Sequence, residues 1–165
     1  MEKKEYYCYF LVSEGQNKNC TYKGCTNDIN KRILQHNGLL SGGAKFTNKN
    51  TCRPWKYLCI ITSEPPLTHT NALSLEWHLK HPYGRYKRAF LKNGTGSKGC
   101  FVNLIQILSR EKHANTTFNI HINENYQTII NENNLTFPDN CKVYNMNLKA
   151  SSNLINIITK SEQEK

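Results

Sequence analysis

The chain has 165 residues, 38% of them hydrophobic, which is enough for one ordinary domain with a tail. Lysine and arginine number 22 against 12 acidic residues, a formal net charge of +10, and a surplus of that size points to a polyanionic partner, nucleic acid first. Seven cysteines without a single CxxC pair exclude the zinc-finger and RING spacings, and no apolar run approaches membrane-spanning length.

In chain order, the aromatic run from Tyr6 to Val12 predicts a strand, Ser13 to Asn19 a polar turn, and Cys20 to Cys25 a second strand that closes a hairpin carrying Tyr22. Thr26 or Asn27 is positioned to cap a helix from Asp28 to about His36, which Asn37-Gly38 ends. Leu39 to Arg53 reads as a loop with Gly42-Gly43 and scattered lysines, and Trp55 to Thr62 as a third strand. Thr68 or Thr70 opens a second helix that runs to about Lys80 and stops at His81-Pro82. A basic, aromatic-interleaved segment from Tyr83 to Gly99 follows. Next come a helix over Phe101 to Ser109, with Leu104 and Leu108 at helical spacing, and an alternating strand over Phe118 to Ile122. From Lys149 a weakly amphipathic tail (Leu154, Ile155, Ile158) leads to a charged, frayed end at Ser161 to Lys165.

Charge is unevenly spread. Between Gly15 and Arg110 lie 15 basic residues and only three acids, Asp28, Glu64 and Glu76, as a phosphate-tracking surface requires. On charge alone, a soluble protein with Lys/Asn-rich coding is the competing account. The odd cysteine count and the charged start Met1-Glu2-Lys3-Lys4-Glu5 predict reduced thiols in an intracellular compartment.

Five residues have the makings of chemistry. Arg32 and His36, four apart, share a face of the first helix and set a permanent cation beside a titratable imidazole. Taken alone, the pair is equally an exposed basic helix face. Glu76 has Ala72, Leu73 and Leu79 as its helical neighbours, so its carboxylate is partly desolvated and needs a lysine, an arginine or a metal. Tyr9 and Tyr22 lie on adjacent hairpin strands with parity that allows a common face, either as plain strand packing or as phenols able to act on water. His69, His78 and His81 lack the further ligands a zinc site needs.

These pieces together resemble the GIY-YIG nuclease superfamily. Tyr7-Cys8-Tyr9 stands where GIY does and keeps the final tyrosine; Tyr22-Lys23-Gly24 stands for YIG and keeps tyrosine and glycine. The run from Lys31 through His36 to Gly38, then Gly42-Gly43-Ala44-Lys45, Arg53-Pro54-Trp55, Leu75-Glu76-Trp77 and His81-Pro82, follows in the order of one branch of that superfamily. That branch forms the catalytic subunit of a eukaryotic endonuclease acting on branched DNA with a scaffold partner. The similarity is strong from Tyr6 to Pro82 and weaker to about Tyr144.

The resemblance implies a small α+β fold with a three-stranded, mostly antiparallel sheet flanked by helices. It divides the chain into a nuclease core at 1–98, a helical extension at 99–148 and a partly disordered tail at 149–165. It implies Tyr9 as general base or positioner of the attacking water, Tyr22 as a hydrogen-bonding aid, and Arg32 as neutraliser of charge on the phosphate. It likewise implies His36 as the group that orients Tyr9 or shares its proton, and Glu76 as the one protein ligand of a Mg²⁺ or Mn²⁺ ion. Lys31, Lys45, Lys49, Arg53 and Lys56 on one side, and Arg85, Lys87, Arg88, Lys92 and Lys98 on the other, are the expected phosphate contacts, which predicts recognition of flaps, forks and Holliday junctions by shape. RNA as substrate, and a catalytically silent binding module, stay open beside that reading. The family's C-terminal zinc module is not expected here, which puts the scaffold partner in doubt and leaves self-association or another partner open. The nucleus or a viral replication site is the expected location.

Overall fold

The computed structural model describes residues 4–84, 95–148 and 153–163. Its centre is a five-stranded sheet in the order β2-β1-β3-β4-β5. The strands are β1 (Tyr7–Ser13), β2 (Thr21–Thr26), β3 (Trp55–Glu64), β4 (Thr117–Asn123) and β5 (Cys141–Met146). The helices are α1 (Ile29–His36), α2 (His69–Lys80), α3 (Gly96–Leu108), α4 (Gln127–Glu132) and α5 (Leu154–Gln163). The hairpin β1–β2, β1–β3 and β3–β4 pair antiparallel, and β4–β5 pair parallel.

The first three strands and first two helices follow the sequence expectation. Asp28, not Thr26 or Asn27, is the N-cap of α1: its carboxylate accepts the Lys31 amide at 2.9 Å. Thr68 caps α2 through the Asn71 amide. The sheet has five strands where three were expected, and the segment beyond α3 is not purely helical. Phe118, Ile120 and Ile122 point to one face of β4 and are buried there, so the free edge of β3 is covered by β4 and the sheet continues into β5. The weakly amphipathic tail, expected to be partly disordered and to fray from Ser161, contains α5, whose Leu154, Ile157 and Ile158 are buried.

Both faces of the sheet are covered. On one, Cys8, Phe10, Phe118, Ile120 and Ile122 meet Ala72, Leu75 and Leu79 of α2 and Phe101, Leu104 and Ile107 of α3. On the other, Tyr7, Tyr9, Leu11, Tyr57, Ile60 and Met146 meet Ile29 of α1 and the apolar side of α5. β1 is therefore buried along its whole length, and β2 is left as one edge of the sheet, with β5 at the other.

Candidate active site

β1 delivers Tyr9 to the α1 face of the sheet, fully buried, with its ring edge-on to Tyr57 at 5.3 Å. The Tyr57 hydroxyl donates to the Ile29 carbonyl at 2.8 Å and so fixes the start of α1. One turn on, Arg32 Nε donates to Tyr9 Oη at 3.2 Å, and His36 Nε2 lies 2.8 Å from the same oxygen. The surrounding hydrogen bonds assign the directions of these contacts. Thr47 spends its hydroxyl proton on the Ala44 carbonyl at 2.9 Å. Its oxygen is then the acceptor for His36 Nδ1–H at 2.9 Å, which leaves Nε2 bare. Tyr9 therefore donates to His36, and its oxygen accepts from Arg32. The result is an ordered proton path: Arg32, Tyr9, His36, Thr47, backbone.

The sequence around this path is its support. Asn37 clamps the end of α1 to the start of β3, accepting from Trp55 N at 2.7 Å and donating to Trp55 O at 3.0 Å. Arg53 Nε donates to the His36 carbonyl at 3.1 Å, and Trp55 Nε1 donates to the Thr47 carbonyl at 3.1 Å. A second arm runs from Arg32 to Gln35 Oε1 and to the Gly42 carbonyl, both at 3.1 Å, so the 42–48 loop is tied to the helix. Gly24, opposite Tyr9 in register, is needed for space: a Cβ there would lie 2.4 Å from Tyr9 Oη. Its missing side chain lets the phenol reach the sheet edge.

Tyr22 is half-buried two residues before Gly24, its ring 5.0 Å from the His36 ring and stacked near Phe46 at 6.2 Å. Glu76 approaches from the other face of the sheet on α2. Its Oε1 pairs with Lys80 one turn on, and its Oε2 accepts from Cys25 Sγ at 3.1 Å. Lys80 reaches round the strand edge, with Nζ 5.3 Å from the centre of the Tyr22 ring. The site therefore wraps the rim of β2, with the proton path on one side and the carboxylate on the other.

Burial sets the protonation states. It lowers His36 to about 4, with the Arg32 charge acting the same way, so the imidazole is neutral at pH 7. Burial raises Tyr9, opposed by the hydrogen bond and charge of Arg32, so the phenol keeps its proton. Burial and the Glu76 carboxylate push the Cys25 thiol up to about 12, which makes it a donor to that carboxylate. Burial lowers Lys23, whose ammonium donates to the Leu79 carbonyl at 2.9 Å and ties β2 to α2.

The expected site residues Tyr9, Tyr22, Arg32, His36 and Glu76 thus gather at one rim. Of the expected phosphate contacts, Lys31, Lys45, Lys49 and Lys98 are exposed. Lys56 is exposed but paired with Glu14 at 2.8 Å, and Arg53 is committed to the His36 carbonyl and to Asn48. Arg85, Lys87, Arg88 and Lys92 lie outside the described residues. Thr47, Lys80 and Cys25 were not foreseen as site residues. The i, i+4 spacing of Glu76 and Lys80 is a readable signal, whereas Thr47 sits in a loop without periodicity.

The oxygens of Glu76 suit a hard divalent cation that keeps most of its waters, since one carboxylate at a half-open rim supplies few protein ligands. Among the described residues no group of three or more histidine, cysteine or acidic side chains is arranged to hold a metal, so a closed zinc-type site is not present there.

The model of the GIY-YIG catalytic domain matches residues 5–89. The structure-specific endonuclease subunit slx1 of Talaromyces stipitatus is 40% identical over 76 residues, covering 46% of this chain and 19% of that protein. The subunit of the same name from Schizosaccharomyces japonicus is 43% identical over 77 residues, covering 47% of this chain and 27% of its own length. That of Podospora anserina is 32% identical over 77 residues, covering 47% and 22%. The matched stretch is thus about a fifth to a quarter of these relatives, and the catalytic-domain match at 5–89 contains every residue of the rim. Residues 5–89 make up over half of the chain and hold β1, β2, α1, β3 and α2, and the chain belongs to the GIY-YIG catalytic-domain family.

Proposed function

We propose that this protein is a divalent-metal-dependent endonuclease that hydrolyses phosphodiester bonds in branched DNA. The observation that carries the reading is the directed chain from Arg32 through Tyr9 and His36 to Thr47, set at the same rim as the Glu76 carboxylate. Tyr9 Oη takes a proton from the attacking water as it passes its own to the bare Nε2 of His36. Thr47 keeps that nitrogen bare by holding the proton on Nδ1. Arg32 stabilises phenolate character on Tyr9 and directs guanidinium charge at the phosphate oxygens. Glu76 would hold the cation, Mg²⁺ or Mn²⁺, with Lys80 swinging aside. The bound cation supplies Lewis-acid stabilisation of charge on the phosphoryl and leaving oxygens. The products on this reading carry 5′-phosphate and 3′-hydroxyl ends. Exposed Lys31 on α1 and Lys45 and Lys49 in the loop after it would contact phosphates without reading bases, which favours recognition by shape. A protein partner or a second copy belongs to the same proposal, since the relatives are named as subunits.

A second reading has one observation in its favour: Lys80 and Cys25 already satisfy Glu76, as in a nucleic-acid-binding module without catalysis. The deciding experiment incubates the protein with 5′-flap, fork, Holliday-junction and linear duplex DNA, and an RNA of the flap sequence, with and without Mg²⁺. Mg²⁺-dependent cleavage of branched DNA that Glu76→Gln abolishes while binding persists is the expected result. Undiminished cleavage by that variant overturns the role of Glu76; binding without cleavage selects the second reading.

A further inference from the structure

A cleft of about 230 Å³ lies on the far side of α2 from Glu76, between that helix and the connection from α3 to β4. Asn71 and Ser74 of α2 line it on one side, and Lys112, His113 and Thr116 on the other, with Phe118 at its floor. No acidic residue lines it. Lys112 has no carboxylate partner among the described residues. Its ammonium instead donates to His78 Nε2 at 2.9 Å, an imidazole whose Nδ1–H is committed to the Ser74 carbonyl at 2.6 Å. His113 packs edge-on against Phe118, and its Nε2 is buried without a hydrogen-bond partner. A neighbouring cleft, which shares Ser63 and Pro66 with this one, differs in charge: it is lined by Glu5, Glu64 and Glu162.

We infer that this cleft is a phosphate site, taking a backbone phosphate of the nucleic acid whose scissile bond lies at the Glu76 rim. The inference rests on the nucleic-acid reading above, and commits to the backbone because of where the cleft lies. On α2, Ala72, Leu75 and Leu79 form the buried stripe. Glu76 borders that stripe on one side, and Asn71, Ser74 and His78 border it on the other. Exposed Leu73 and Trp77 form the ridge between. An α-helix with its side chains is about 10 Å across, so a strand crossing the ridge meets both sites within a few nucleotides. Lys112 supplies the charge, and the unpartnered imidazole and the hydroxyls of Ser74 and Thr116 supply the hydrogen-bonding groups a tetrahedral oxyanion needs. Burial together with the Lys112 and Arg110 charges lowers His113 to about 4, as expected where cationic groups gather without an anion.

The test separates this site from the rim. In EDTA, affinity for a 5′-flap DNA is measured across a range of NaCl for the wild-type protein and Lys112→Gln. Log affinity against log salt should be shallower by about one for the variant. Inorganic phosphate, added at matched ionic strength, should give saturable shifts in the Lys112, His113 and Thr116 amide resonances, and Lys112→Gln should lose them. Phosphate shifts that are absent, or unchanged in the variant, overturn the site; phosphate shifts lost in the variant but with equal slopes overturn its use for a backbone. Cleavage by the wild-type protein in Mg²⁺ is scored separately. A protein that cleaves nothing but shows the slope difference loses the nuclease reading and keeps this one; a protein that cleaves with equal slopes does the reverse.

Discussion

His36 is the residue on which the rim turns, because it must be neutral to accept the Tyr9 proton. Its value of about 4 in the fold lies below the 6.5 of a free imidazole. The unfolded chain therefore binds more protons between those values, and stability rises with pH across that window and falls as pH is lowered through it. At pH 7 the neutral form is favoured in both states; by pH 5 the buried imidazole costs the fold about 2 kcal/mol. Denaturant melts at pH 7 and pH 5 should show that difference between the wild-type protein and His36→Gln, which keeps an acceptor for Tyr9 but does not titrate. A parallel loss in both proteins would mean His36 is not the group responsible, and His121, also buried and lowered to about 4, is the next candidate. Arg32 is tested by charge conservation. Lysine keeps the cation but cannot hold Tyr9, Gln35 and Gly42 from one planar group. Arg32→Lys should cut the cleavage rate on the order of 10²-fold, as loss of a preorganised transition-state donor does, and single-turnover kinetics would reveal a smaller loss if charge alone matters.

At the scale of elements, the site depends on one strand edge and one helix turn. Alanine at Gly24 places a methyl against the Tyr9 phenol, and overpacking of this kind costs about 1–3 kcal/mol. The larger expected effect of Gly24→Ala is on rate, since Tyr9 is displaced from His36 and such shifts cost on the order of 10²-fold. Thermal melts and rates on the same sample separate the two. The Glu76–Lys80 pair makes a different prediction. Exposed i, i+4 pairs contribute about 0.3–0.5 kcal/mol, so Lys80 is a weak competitor for the carboxylate. Lys80→Ala should lower the Mg²⁺ concentration at half-maximal cleavage about two-fold; a rise instead would give Lys80 a role on the substrate. Much of this was legible. The strand alternation, the helix stops at Gly38 and His81-Pro82, and the face shared by Arg32 and His36 are local, and local order carries them. Thr47, which determines the tautomer of His36, was not, because a loop residue is given its meaning only by the partner that folding brings to it.

At the scale of the molecule, the segments beyond residue 98 were the hardest to read, for a shared physical reason. β5 buries only Tyr144 and Met146 of its six residues and pairs parallel to β4, so its strand character comes from the sheet it joins. α5 is short and marginal alone, and its helical state depends on docking. That docking reaches the site. Asn30 of α1 accepts from the Leu154 amide at 2.9 Å and donates to Asn153 Oδ1 at 3.2 Å, while Ile157 and Ile158 join the cluster that contains Tyr9 and Ile29. α1 is thus held between the sheet and α5, and the rim is braced by residues more than a hundred positions away. Removing residues 149–165 uncovers this side of the core, and losing the burial of three aliphatic side chains should cost roughly 3–5 kcal/mol. In a protein of this size that lowers the melting temperature by about 10 °C. The rim should feel it too: with α1 loosened, Arg32 and His36 hold Tyr9 less well, so kcat should fall while DNA affinity in EDTA, set by the phosphate contacts, stays within about two-fold. A truncated protein that melts earlier but keeps its kcat below the new melting point would show that the sheet and the Asn37–Trp55 clamp position α1 without help from α5.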